Sequence, residues 1–109
     1  MNQASVESTN NLPSALKRVR KALGLTQEEF GILSSRTYLS TLERGLKSPT
    51  LGKLEQICET MGLHPLTLLA LAYAPSMEGD LQTLLTRVQD EVARIQQSEA
   101  RVRGRGGRK

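Results

Sequence analysis

The sequence predicts an all-α fold, five short helices gathered into one domain and a single long helix behind them. Three observations carry this. Apolar residues recur at spacings of three and four rather than in the alternation that a half-buried strand requires. Helix starts are marked in order by Pro13, Thr26, Ser35, Thr50 and Pro65, and helix ends by Gly24, Gly45 and Gly62. From Leu81 to Ile95 the apolar spacing settles into 4, 3, 4 and 3.

The first eleven residues read as a disordered polar arm, and residues 12–74 as the domain. The first helix is expected from Pro13 to Leu23, since proline suits a helix start. Leu16, Val19 and Leu23 form its apolar stripe, with Lys17, Arg18 and Lys21 off it, and Gly24 ends it. Thr26-Gln27-Glu28-Glu29 has the form of a capping box, Thr26 capping and Glu29 reaching back. It opens a short second helix to about Leu33 or Ser34, with Phe30 and Leu33 inward. Ser35 can cap a third helix to Arg44, stopped by Gly45. Thr50 caps a fourth that runs to Met61, with Leu51, Leu54, Ile57, Cys58 and Met61 on one side. The fifth, Pro65 to Tyr73, is apolar almost all round and is expected to be buried. The long helix spans about Met77 to Arg101. Its stripe of Leu81, Leu85, Val88, Val92 and Ile95 is an a/d seam barely three heptads long. Residues 75–101 are thus a candidate oligomerisation helix, and 102–109 a disordered basic Gly/Arg tail.

At 109 residues the chain can build one small core and little more. Phe30, Tyr38 and Tyr73 are its only rings, so leucine, isoleucine and valine must fill that core. The single cysteine, Cys58, excludes an intramolecular disulfide and any cysteine-based metal site, and points to a reducing compartment. MNQASVESTNN has no apolar segment of the kind a secretory signal needs. LTLLALAYA, the longest apolar run, is too short to span a membrane. A soluble, cytoplasmic protein is expected. The net charge of +4 conceals three regions. Residues 1–53 carry eight basic against four acidic side chains, residues 54–100 two against seven, and residues 101–109 five basic ones alone. A polyanion is the expected partner of the front, the tail or both.

The third helix suggests what that partner is expected to be. Placed at about 100° per residue, Leu39 and Leu42 define its buried stripe. Thr37, Ser40, Thr41 and Arg44 lie broadly opposite, and Arg36 and Tyr38 flank the stripe near the helix start. Such a face suits the major groove of DNA, which admits one helix and displays base-edge donors and acceptors. Arginine can bond a guanine bidentately; threonine can bond a base edge or touch a thymine methyl. The helix start points N–H groups at a phosphate. A merely solvated polar surface is the competing reading.

KRVRKALGLTQEEF, followed by RTYLSTLERGLKSPTLGKLEQICETMGL, resembles the Cro/phage-repressor (xenobiotic-response-element) helix-turn-helix family over about residues 14–73. The order G-L-T-Q-E-E, Y-L-S-x-L-E-R-G, S-P-T-L-x-x-L, M-G-L makes the resemblance specific. RTY at the start of the third helix is similar to the controller regulators of restriction–modification operons. The resemblance implies a five-helix domain and makes Arg36, Thr37 and Thr41 the expected base readers, with Tyr38 at a base or phosphate unless it packs against the second helix. It places Thr26 and Gln27 at a phosphate, and Arg44, Lys47 and Ser48 on the DNA backbone beyond. Arg20 and Glu43 match a pair that links the first and third helices structurally. One departure concerns the turn: Gly31-Ile32-Leu33-Ser34-Ser35 is about two residues shorter than in other members, so the turn must be tighter or the second helix shorter.

Taken together, the expected function is sequence-specific DNA-binding transcription regulation, by a repressor or autoregulator acting as a homodimer on an approximately palindromic operator in the nucleoid. The alternative is an antitoxin-type module whose acidic half, 54–100, binds a protein partner while the front binds its own operator. An enzyme is not expected, because no Gly-rich phosphate loop, no Ser/His/Asp set and no metal-ligand cluster can be read. No cofactor is expected. His64 has no partners at ligand spacing, Cys58 reads as a core residue, and Glu28, Glu55 and Glu59 as surface charges. The long-helix seam either pairs with a second copy or folds back, and the tail either adds phosphate attraction, RNA included, or merely solubilises.

Overall fold

The computed structural model describes residues 11–30, 36–74 and 81–106. Five α-helices and one 3-10 helix account for them, and no strand occurs among the described residues. Residues 1–10 of the arm expected over 1–11, the short turn 31–35 with the Ser35 cap and Leu33, the start of the long helix before Leu81, and tail residues 107–109 lie outside them.

Helix α1, Leu12–Ala22, has Pro13 in its first turn and buries Ala15, Leu16, Val19 and Arg20. Leu23, expected on that stripe, instead caps the helix end and is 46% exposed. Gln27–Phe30 is a 3-10 helix, a tighter element than the expected α-helix over these residues. Glu29 does reach back, accepting from the Thr26 N–H at 2.6 Å. The Thr26 hydroxyl, however, donates to that same carboxylate, and the Glu29 N–H bonds the Thr26 carbonyl at 3.2 Å. A bond between residues three apart is what winds the backbone as 3-10. Phe30 at its end is fully buried.

Helix α2, Arg36–Glu43, ends as Gly45 takes φ +77°. The Gly45 N–H bonds the Leu42 carbonyl and the Leu46 N–H bonds that of Thr41, both at 3.0 Å, so the last carbonyls of the helix find donors in a Schellman ending. The dipeptides Gly24-Leu25 and Gly62-Leu63 end α1 and the next helix with the same pair of bonds. That next helix, α3, is Leu51–Met61, with the Thr50 hydroxyl accepting from the Lys53 N–H at 3.1 Å as a cap should. Leu54, Ile57, Cys58 and Met61 face inward as predicted, but Leu51, in the first turn, is 66% exposed.

Helix α4, Pro65–Tyr73, is capped by His64, whose Nδ1 accepts from the Leu66 N–H at 3.0 Å. Its apolar character all round does not bury it all round. Leu68 and Ala72 are fully covered, whereas Leu66 and Tyr73 face solvent, because the elements packed on α4, α1 and α3 among them, cover only part of its surface. The Asn11 N–H donates to the Ala72 carbonyl at 2.8 Å and ties the start of α1 to the end of α4.

Helix α5 runs from Leu81 to Gly106. It touches the domain through α4 and gives the molecule its 56 Å long axis. The segment expected to be disordered from residue 102 therefore stays helical for most of its length. Arginine is a good helix former, and cations near a helix C-terminus complement its dipole, which offsets the cost of Gly104.

Candidate nucleic-acid interface

Helix α2 is held from beneath by two leucines, Leu39 and Leu42, which are 1% and 2% exposed in the shared core with Leu16, Phe30 and Ile57. A polar lock fixes its last turn. Arg20 of α1 donates from Nε to Glu43 Oε2 at 2.6 Å and from Nη2 to Oε1 at 3.0 Å, a bidentate pair in which the Glu43 side chain is 3% exposed. A third donor, Gln27 Nε2, reaches the same Oε1 at 3.0 Å, and Arg20 Nη1 holds the Leu25 carbonyl at 2.8 Å. The hydrogen bond to Glu43, helped by its charge, raises the Arg20 guanidinium above its ordinary pKa despite burial. Arg20 therefore stays cationic, and its contribution to stability, full below the ordinary guanidinium value, is lost as pH rises from there through the raised one.

The outward face of α2 is polar. Thr37 is exposed, Ser40 and Thr41 are half-buried, and Arg44 just past the helix end is exposed. The Thr41 hydroxyl donates to the Thr37 carbonyl at 2.7 Å, which leaves its oxygen as an acceptor for a base amine and its methyl for thymine. Arg44 Nε lies 3.4 Å from the Ser40 carbonyl and folds back along the helix. Arg36 is the first residue of α2, and its side chain lies outside the described part of the structure. Thr26 is exposed at the head of the 3-10 helix, and Lys47 and Ser48 are exposed in the loop behind α2.

Two expected contacts sit differently from the simplest expectation. Tyr38 is half-buried against the core, with Lys53 Nζ 5.7 Å from its ring centre. Gln27 is drawn inward to Glu43; since an amide nitrogen carries two protons, that bond and a phosphate contact are compatible. Sequence reasoning missed the Gln27–Glu43 bond, the His64 cap and the placement of Lys53 over Tyr38. The only signal for the last was Thr50 three residues earlier, which starts α3 and so sets where Lys53 stands. Cys58 is fully buried, and desolvation pushes its thiol above the ordinary value, the opposite of what a reactive thiolate needs.

Helix α2 is thus clamped from below, with Thr37 on its outer side and Arg44 just past its end exposed. Residues 16–68 match the helix-turn-helix family HTH_3. The chain is 42% identical over 52 residues to an uncharacterised HTH-type transcriptional regulator, y4dJ, of Sinorhizobium fredii, a match covering 46% of this chain and 68% of that one. The chain belongs to the helix-turn-helix family of transcriptional regulators. Two crystal structures of the clp gene regulator ClgR from Corynebacterium glutamicum are similar to this helix-turn-helix protein. One is 32% identical with a TM-score of 0.56, covering 64% of this chain and 92% of that chain. The other is 31% identical with a TM-score of 0.56, covering 78% and 85%. This helix-turn-helix chain is an all-α, DNA-binding transcription regulator. Among its described residues no helix is long and apolar enough to cross a membrane, and no group of three or more His, Cys, Asp or Glu side chains is placed to hold a metal ion.

Proposed function

We propose that this regulator is a sequence-specific repressor, of its own or a neighbouring operon, that acts in the cytoplasm as a homodimer on an approximately palindromic operator. Each protomer inserts α2 into the major groove, with half-sites about one turn (~34 Å) apart. Arg36, Thr37 and Thr41 read base edges. Thr26, Gln27, Arg44, Lys47 and Ser48 hold phosphates, and Tyr38 supports the helix from its flank. The observation that carries this reading is the contrast on α2, with Leu39, Leu42 and Glu43 fixed underneath while Thr37 and Arg44 stay exposed.

Binding of the full chain to duplexes selected from a random pool, compared with unrelated duplexes, tests it. Arg36→Ala is expected to relax preference at one base position by about 1–3 kcal/mol, while Lys47→Ala weakens all sequences alike and lowers the salt slope by about 1. Equal losses from both changes on both kinds of duplex would overturn the assigned roles.

Dimerisation is supported by the seam on α5, where Leu85, Val88 and Val92 are 39–46% exposed in the monomer. Val92→Glu is expected to give monomers by light scattering and to weaken the full operator far more than an isolated half-site. A variant that stays dimeric removes α5 from this role. A stoichiometric heteromeric complex formed through the same stripe would favour the antitoxin-type reading instead.

A further inference from the structure

Helix α5 carries a longer stripe than the seam read from the sequence. Leu81, Leu85, Val88, Val92, Ile95 and Val102 are all between 38% and 62% exposed, and between the last two the same heptad spacing falls on Glu99. From Val92 to Gly104 every residue of the helix faces solvent. The two halves differ in charge. Residues 81–91 carry Arg87 against Asp90 and Glu91; residues 92–104 carry Arg94, Arg101 and Arg103 against Glu99.

We propose that two copies of α5 pair antiparallel along this stripe, with Leu85 facing the partner's Val102 and Val92 facing the partner's Ile95. The inference rests on the homodimer reading above and adds its direction. Three features of the helix favour it over a parallel pair. In a parallel pair every seam residue meets its own copy, so Glu99 meets Glu99 across a seam that excludes water, where like charges repel most strongly. Running the helices in opposite directions sets Glu99 opposite Val88 instead. A parallel pair also gathers both arginine-rich ends at one tip, whereas an antiparallel pair lays each basic half on the other copy's acidic half. Finally, this register pairs the stripe continuously from Leu85 to Val102, with only Leu81 outside it opposite Gly106, and places Glu91 beside the partner's Ser98. A slide of one heptad toward the domains would leave Val102 unpaired in place of Leu81 and bring Glu91 against its own copy. The Leu81 ends of the two helices then stand about 37 Å apart, at ~1.5 Å of rise per residue, which is on the scale of one turn of DNA.

Spin labels attached singly to Gln82→Cys, Ala93→Cys and Gly104→Cys in the full chain test the direction by pulsed dipolar spectroscopy. The native Cys58 is buried and stays unlabelled under folding conditions. The expected profile is V-shaped. Label separations of about 35 Å at position 82 and about 30 Å at position 104 follow from the helical rise, with a minimum at position 93. Short separations at all three sites would mean a parallel pair, which overturns the direction and leaves the homodimer standing. Dipolar coupling at none of them, with a monomer mass in solution, overturns both. A dimer whose separations have no minimum at position 93 is joined through another surface, and that too overturns the proposal.

Discussion

Glu43→Ala is expected to destabilise the domain by about 3–5 kcal/mol, because removing one partner of a buried ion pair leaves the other charged and unpaired. Here the stranded group is Arg20, itself only 7% exposed, and Gln27 loses its acceptor at the same moment. Against the ~5–15 kcal/mol of an ordinary domain, this brings the protein close to unfolding at growth temperature. Urea denaturation followed by circular dichroism measures it. The double change Arg20→Met with Glu43→Leu should recover much of the loss, since apolar replacement of both partners removes the stranded charge. A loss below about 1 kcal/mol for Glu43→Ala would mean that the pair is held loosely and does not fix α2.

Leu39→Ala is the second large effect, about 2–5 kcal/mol, from the transfer energy of the lost methyls and the cavity left where α2 meets the core. Leu39 is 1% exposed and lies beneath the reading face, on the side opposite any bound DNA. Operator affinity should therefore fall with the folded fraction, while base preference at low temperature, where the variant is still folded, stays that of the parent. Measuring preference and melting on the same samples separates this outcome from that of Arg36→Ala, where melting holds and preference goes. A Leu39→Ala variant that melts normally yet reads different bases would place Leu39 at the interface.

Much of this architecture is legible in the sequence because its punctuation is local. Thr50 and the Gly-Leu dipeptides at 24–25, 45–46 and 62–63 act through bonds to neighbours within four or five residues, so both boundaries of α3 and the ends of α1 and α2 follow from residue type. What depends on more distant neighbours is less visible. A capping box at Thr26–Glu29 is compatible with α or 3-10 winding, and the choice is not encoded in those four residues. Leu23, Leu51 and Leu66 satisfy a helical apolar pattern, yet all three face solvent, since periodicity shows which side of a helix is apolar but not how far its neighbours extend over it. On the candidate site, the Arg20–Glu43 pair was readable through family resemblance. The recruitment of Gln27 into it depends on how the 3-10 helix approaches α2, sixteen residues away in sequence.

The fixing of α2 from below separates two sets of residues. Leu39, Leu42 and Glu43 are committed to the fold, while Thr37 and, just past the helix end, Arg44 stay exposed. Mutational drift at the exposed set leaves folding nearly untouched. A lineage built on this frame can therefore acquire new target sites by exchanging a few surface side chains, without passing through unstable intermediates.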